Sequence, residues 1–128
     1  FCSLKMKSAM NTGKLLLIVD DNLNFVKRLV CILEDVPNIR GINIASDFNE
    51  AVSLFSADQY NVVLLDINLP GKNGIELLKL FKKQRPECDI IMITNHADSY
   101  YRQLCLSLGA KHFLDKSNDY ATISTLVA

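Results

Sequence analysis

The stretch Asn61-Val62-Val63-Leu64-Leu65-Asp66-Ile67-Asn68-Leu69-Pro70-Gly71 decides the fold. Four consecutive apolar residues run straight into an aspartate, and a Pro-Gly pair then turns the chain. A short continuous apolar run is the pattern of a strand buried on both faces, as in a parallel sheet covered by helices. Such a strand delivers Asp66 to the carboxyl edge of the sheet, where open α/β folds hold their ligands. Taken alone, Asp66 is equally compatible with a strand terminator or a cap on the next helix. The other strand ends decide between these readings.

Working outward, Lys14-Leu15-Leu16-Leu17-Ile18-Val19 predicts a first buried strand that stops on Asp20-Asp21-Asn22. From Leu23 the spacing becomes helical, with Val26, Leu29, Val30 and Leu33 on one face, until Val36-Pro37-Asn38 ends the helix. A second strand, Ile39 to Ala45, alternates weakly around Gly41, and its polar content predicts a place near the sheet edge. Asp47 with Glu50 three residues later approximates a capping box for a helix carrying Ala51, Val52, Leu54 and Phe55. After Gly71-Lys72-Asn73-Gly74, a third helix presents Ile75, Leu77, Leu78 and Phe81 inward, with Leu80 beside them. Its Lys79, Lys82, Lys83 and Arg85 read as a solvated outer side, bounded by Pro86. Asp89 to Thr94 is a fourth buried strand, followed by Asn95-His96 and a helix over roughly Asp98 to Leu108 that stops at Gly109. Lys111 to Asp115 is a fifth strand ending on Lys116-Ser117, and a last helix from near Asp119 carries Tyr120, Ile123, Leu126 and Val127. Strand and helix thus alternate five times with short connections. This predicts an α/β fold, a doubly wound (βα)5 sandwich around a five-stranded parallel sheet. Several strand orders satisfy that pattern.

At 128 residues the chain is the size of one domain, with residues 14–128 as the folded part and 1–13 as an N-terminal extension or cloning remnant. The 14 basic and 14 acidic residues balance, so no global field draws the chain to nucleic acid or an anionic membrane. No apolar run approaches a membrane span, and residues 1–13 hold no secretory h-region, so a cytoplasmic location is expected. Cys2, Cys31, Cys88 and Cys105 form no metal-ligand spacing. Three of them fall in apolar patterns where a buried thiol is expected, and a disulfide framework is not.

The strand ends carry the chemistry. In a parallel sheet, Asp20-Asp21, Asp66, Thr94 and Lys116 lie on one edge, so three carboxylates, a hydroxyl and an ammonium converge. Alone, Lys116 reads as a surface charge, Thr94 as a β-former and Asp21 as a helix cap. Together, the carboxylates repel unless a cation joins them, and hard oxygen ligands of this kind suit Mg²⁺. A lysine and a hydroxyl beside a metal can bind phosphoryl oxygens, and a neighbouring carboxylate can accept the phosphoryl group.

From about Lys14 to Ala128 the chain resembles the receiver domains of two-component response regulators, CheY-like in kind. The resemblance is carried by Ile18-Val19-Asp20-Asp21-Asn22, Leu64 to Gly74, Ile93-Thr94, Gly109-Ala110 and Phe113-Leu114-Asp115-Lys116. It implies the flavodoxin-like strand order 2-1-3-4-5, with Asp66 as phosphoacceptor for the phosphohistidine of a sensor histidine kinase or phosphotransfer protein. It further implies Mg²⁺ held by Asp21, Asp66 and the backbone carbonyl of Asn68, with Asp20 acting through water. Lys116 and Thr94 would bind the phosphoryl group, and Thr94 with Phe113 would form the switch. The output face would be the fourth helix, fifth strand and fifth helix, including Tyr100, Tyr101, Arg102, Lys111 and Tyr120. That face would meet a downstream effector, an effector domain of the same protein or a second copy in a dimer. No enzyme activity is expected beyond assisting its own phosphorylation and slow dephosphorylation.

Two departures from the family pattern stand out. Asn95 replaces the usual small residue after the threonine and predicts narrower access to Asp66. Ser117 replaces the proline whose peptide with the lysine is often cis, and a cis bond at Lys116–Ser117 is expected so that the lysine reaches the phosphate. Asn68 and His96 occupy positions that tune dephosphorylation in the family. Other readings are a phosphorylation-independent interaction module of the same fold and an aspartyl phosphohydrolase. Against the second stands Asn68, where that signature has an acid. A flavin-binding domain lacks its Gly/Ser/Thr-rich loop.

Overall fold

A computed structural model of the chain describes residues 13–69, 73–95, 99–117 and 121–127. Five strands and five helices alternate: β1 (Lys14–Val19), α1 (Leu23–Leu33), β2 (Ile39–Ala45), α2 (Phe48–Ala57), β3 (Val62–Asp66), α3 (Gly74–Gln84), β4 (Asp89–Thr94), α4 (Ser99–Ser107), β5 (His112–Asp115) and α5 (Thr122–Val127). All strand pairs are parallel, in the order β2-β1-β3-β4-β5. The polar second strand is an edge, as its composition predicted. The fourth helix ends at Ser107, one residue before the expected Leu108. Expected starts at Asp98 and Asp119, and Tyr120, lie outside the described residues.

Strand alternation divides the interior into two cores. Leu15, Leu17 and Val19 of β1 join Phe55, Leu77, Leu78, Phe81 and Cys105 on the face covered by α2, α3 and α4. Leu16 and Ile18 join Phe25, Val26, Leu29, Val30, Leu33, Ile123 and Val127 on the face of α1 and α5. Cys88 and Cys105 are buried thiols as expected. Cys31 is a correction: it is exposed on α1 and takes part in a disulfide, because its helical position falls outside the inward stripe.

The helices start on amide and carboxylate caps. Asn22 accepts from the Phe25 N–H at 3.1 Å, so Asn22 rather than Asp21 caps α1. Asp47 accepts from Glu50 N–H at 2.8 Å, while the Glu50 carboxylate accepts from Ser46 N–H at 2.7 Å, one residue before the cap, a shifted form of the expected box. Asn73 accepts from Ile75 and Glu76 at the start of α3.

Register at the bottom of the sheet is pinned by Asn61. Its side chain accepts from Leu15 N–H at 2.8 Å, its N–H donates to Leu15 O at 2.9 Å, and its carbonyl accepts from Asp89 N–H at 3.0 Å. One residue therefore clamps β3 between β1 and β4. At the other end of β3, Gly74 brings α3 onto the strand: its N–H donates to Ile67 O at 2.6 Å. A Cβ there would lie 2.0 Å from the Asp66 carbonyl oxygen, a clash with backbone that only displacement of α3 relieves. Gly74→Ala should lower the unfolding free energy by about 2–4 kcal/mol in urea titrations, while Gly109→Ala, whose added methyl meets the flexible Lys82 side chain but whose φ of +110° strains any L side chain, should cost about 1–2 kcal/mol.

Candidate phosphoacceptor and metal site

The parallel register aligns the strand ends. Val19 pairs with Leu65, so Asp20 and Asp66 follow side by side. Asp66 pairs with Ile93, and Thr94 pairs with Asp115. Backbone bonds extend the ladder past the strands: Asp20 N–H to Ala45 O at 3.0 Å and Lys116 N–H to Thr94 O at 2.9 Å. All four strand ends read as chemical in the sequence therefore meet on one edge. Asp20, Asp66, Thr94 and Lys116 are the buried polar residues among those described, and Asp21 lies beside them, exposed.

Lys116 is the centre of the cluster. Its Nζ stands 3.2 Å from Asp66 Oδ2, to which it donates a hydrogen bond, and 2.6 Å from Asp20 Oδ2. The Asp20 contact is ionic only, because its direction falls outside hydrogen-bond geometry, so this fully buried oxygen has no hydrogen-bond partner. The Phe25 ring lies against the same ammonium, 4.6 Å from its centroid. The other carboxylate oxygens hold backbone: Asp20 Oδ1 accepts from Asn22 N–H at 2.9 Å and Asp66 Oδ1 from Asn68 N–H at 3.2 Å. The expected cis bond at Lys116–Ser117 is absent; the peptide is trans. Without proline the cis form costs about 3–4 kcal/mol, and the trans lysine already reaches both carboxylates. Ser117 instead uses an N–H that proline lacks, donating to Asp115 Oδ1 at 2.7 Å.

Ligand atoms of Asp20, Asp21 and Asp66 lie within 4.8 Å of one another. A cation roughly 2.0–2.6 Å from each oxygen spans that separation. Three carboxylates face one ammonium, and one buried oxygen lacks a hydrogen bond, so hard-oxygen donors and excess negative charge fit a divalent cation. Burial, and then the neighbouring Asp20 charge, push the Asp66 carboxyl up to about 6 against the opposing pull of Lys116.

The other expected residues are placed as follows. Phe113 is buried, with the Arg102 guanidinium carbon 5.3 Å from its ring centre. Tyr100 and Tyr101 are exposed on α4, and Lys111 is exposed and paired with Asp89 at 3.3 Å. Asn68 is exposed, and His96 lies outside the described residues. Asn95 is exposed just past the end of β4. It lines a cleft of about 290 Å³ with Asn22, Phe25, Arg28, Lys116 and Ser117. Phe25 and Arg28 were missed in the sequence, where one reads as core and the other as solvated helix surface.

Residues 16–128 match the family of response regulator receiver domains. The chain belongs to that family. Among its relatives, the transcriptional regulatory protein CpxR of Escherichia coli K12 is 33% identical over 119 residues, covering 91% of this chain and 48% of CpxR. A protein-glutamate methylesterase/protein-glutamine glutaminase of Idiomarina loihiensis is 35% identical over 102 residues, covering 78% of this chain and 26% of that protein. This receiver domain thus spans about half the length, or less, of the curated relatives it matches. A CheY-like receiver domain protein of Methanospirillum hungatei superposes with a TM-score of 0.79 at 30% identity, covering 89% of this chain and 90% of that one. A Burkholderia pseudomallei response regulator, solved with a phosphorylated aspartic acid, calcium ion and citrate, superposes at 0.80 and 23% identity, over 91% of this chain and 67% of that one. No helix among the described residues is long and apolar enough to cross a membrane.

The raised Asp66 value sets a stability test. Between the ordinary carboxylate range and about pH 6, the folded chain holds a proton on Asp66 that the unfolded chain has lost, so stability falls as pH rises through this window. Without divalent cations, Asp66→Asn should therefore stabilise the fold at neutral pH by about 1–3 kcal/mol. The gain should be full above pH about 6 and fade by pH about 4, read from urea unfolding across the range.

Proposed function

We propose that this receiver domain is the phosphoacceptor switch of a response regulator, with Asp66 taking a phosphoryl group from the phosphohistidine of a sensor kinase or phosphotransfer protein. The observation that carries this reading is the buried Lys116 ammonium held between Asp20 and Asp66, 2.6 and 3.2 Å away, beside a third carboxylate. Mg²⁺ would be held by Asp21, Asp66 and the Asn68 carbonyl, with Asp20 reached through water. When bound, it supplies charge neutralisation for the transferring phosphoryl oxygens.

Asp66 Oδ attacks phosphorus as the phosphorus–nitrogen bond breaks, and the electron pair stays with the departing imidazole. Lys116 is shared between two carboxylates before transfer and turns to the phosphoryl oxygens after it. The modification adds nearly two negative charges to a buried site. The Thr94 hydroxyl binds the new anion, and the Lys116 N–H to Thr94 O bond ties that movement to β5. Phe113 is already inward beneath Arg102, so β5 signals through a change in packing without an aromatic hydroxyl. The signal emerges on the α4-β5-α5 face at Tyr100, Tyr101 and Lys111, for an effector, an attached effector domain or a second copy. The domain acts in the cytoplasm, makes no direct nucleic-acid contact, and is no enzyme on a separate substrate.

Incubated with phosphoramidate and Mg²⁺, the wild-type chain should gain the mass of one phosphoryl group and Asp66→Ala none. Lys116→Ala should slow the gain by roughly tenfold or more. Thr94→Ala should still be phosphorylated but lose the accompanying NMR shifts on α4 and β5. No gain in wild type, or the same gain in Asp66→Ala, would leave the phosphorylation-independent interaction module as the better reading.

A further inference from the structure

Lys116 has a third neighbour besides the two carboxylates, and the acceptor chemistry above gives it no role. The Lys116 Nζ sits over the Phe25 ring, 4.6 Å from its centroid. An ammonium has three N–H donors and accepts nothing. It donates to Asp66 Oδ2 at 3.2 Å, and its 2.6 Å contact with Asp20 Oδ2 is ionic only. The negative face of an aromatic ring attracts a cation most where water is excluded, and ring and ammonium are both buried here. The ring is also held in place. Asp20 Oδ1 accepts from Asn22 N–H at 2.9 Å, and the Asn22 side chain accepts from Phe25 N–H at 3.1 Å. Asp20 thus meets Lys116 through one oxygen and anchors the start of the helix carrying Phe25 through the other. The lysine is less constrained. Its flexible stem borders the cleft shared with Asn22, Asn95 and Ser117, whose amide and hydroxyl oxygens are rival acceptors for its ammonium.

We propose that Phe25 is a positioning residue for phosphoryl transfer, whose ring keeps the Lys116 ammonium on the acceptor side of the cleft through a cation–π contact. The inference rests on Asp66 being the phosphoacceptor and Lys116 the group that binds the phosphoryl oxygens. Those oxygens carry the charge of the transferring group, and they are stabilised best by an ammonium already in place when the bond to Asp66 forms. The ring attracts the cation without neutralising it. A further carboxylate at this point would compete with the phosphoryl oxygens for the same N–H donors. A ring face competes weakly, so Nζ stays near Asp66 and remains available to the incoming group. An aliphatic side chain would fill the core beside Leu16 and Ile18 but offer the ammonium nothing, and the lysine would turn to the amides of the cleft.

The test uses the full chain with Mg²⁺ and phosphoramidate, following phosphoryl gain by intact-protein mass spectrometry. In this donor the phosphorus–nitrogen bond breaks, and the protonated nitrogen keeps the electron pair and leaves as ammonia. Phenylalanine carrying one, two or three ring fluorines is placed at position 25 alone, because fluorine withdraws electron density from the ring face with little change of shape. The rate should fall with each fluorine, to about three- to tenfold below wild type for the trifluorinated ring, and Phe25→Leu should lose about as much. With Lys116→Ala as background, the same changes should alter the residual rate by less than about twofold, since the contact they weaken is already gone. Fluorinated chains that react at the wild-type rate, or equal losses with and without Lys116, would overturn the positioning role and leave Phe25 as a core residue. Failure of wild type to gain a phosphoryl group would instead overturn Asp66 as acceptor, and this inference with it.

Discussion

The buried Lys116 ammonium between Asp20 and Asp66 is the interaction on which the site depends. A parallel sheet has no means of separating charges placed at the ends of its central strands, because every strand points the same way. Here β1 and β3 are neighbours and end on acids, so the register that builds the core also forces Asp20 and Asp66 together. Burying them is costly unless opposite charge joins them. Lys116, delivered from the end of β5, meets that need in part, and the carboxylates still outnumber it. The excess is what makes the edge suited to a divalent cation and an incoming phosphoryl group. The same features that store electrostatic cost in the resting chain are those the proposed chemistry releases.

Holding that arrangement falls to small devices around it. Asn61 fixes the strand register at the opposite end, and Gly74 admits α3 to the backbone of Asp66. The Lys116 N–H to Thr94 O bond keeps the fifth strand end aligned with the fourth. Each acts through backbone geometry, which explains why the functional side chains sit on strand ends and short turns rather than on long loops. It also links the acceptor to the cleft, since Lys116 and Asn22 serve both: Asn22 gives its N–H to Asp20 and its side chain to the start of α1.

Much of this was legible in the sequence. The three central strands carry uninterrupted apolar runs, and β1, β2 and β4 have the bounds their patterns predicted, because burial on both faces leaves little room for polar residues. Asp20, Asp66 and Thr94 were legible for the same reason, each being the first polar residue after such a run. Asp21 and Lys116 each follow another acid and stand out by their place beyond a strand end. The strand order was not, since alternation alone permits several, and it came from resemblance. The Lys116–Ser117 peptide departs from the cis form its family pattern predicts, because a flexible lysine side chain covers the distance from a trans bond. Cys31 is exposed although its neighbours are apolar, because composition around a cysteine does not fix its helical phase. Arg28 and the cleft were invisible, since an exposed arginine on an amphipathic helix looks the same whether or not another loop faces it.

The central claim is that excess carboxylate charge around Lys116 makes this edge a divalent-cation site built on Asp66. Its most direct test is an Mg²⁺ titration of the unphosphorylated chain followed by amide NMR. The account predicts saturable shifts at Asp20, Asp21, Asp66 and Asn68, markedly weaker binding in Asp21→Asn, and no comparable shifts on β2. Linear, unsaturated changes, or affinity that Asp21→Asn leaves intact, would contradict it.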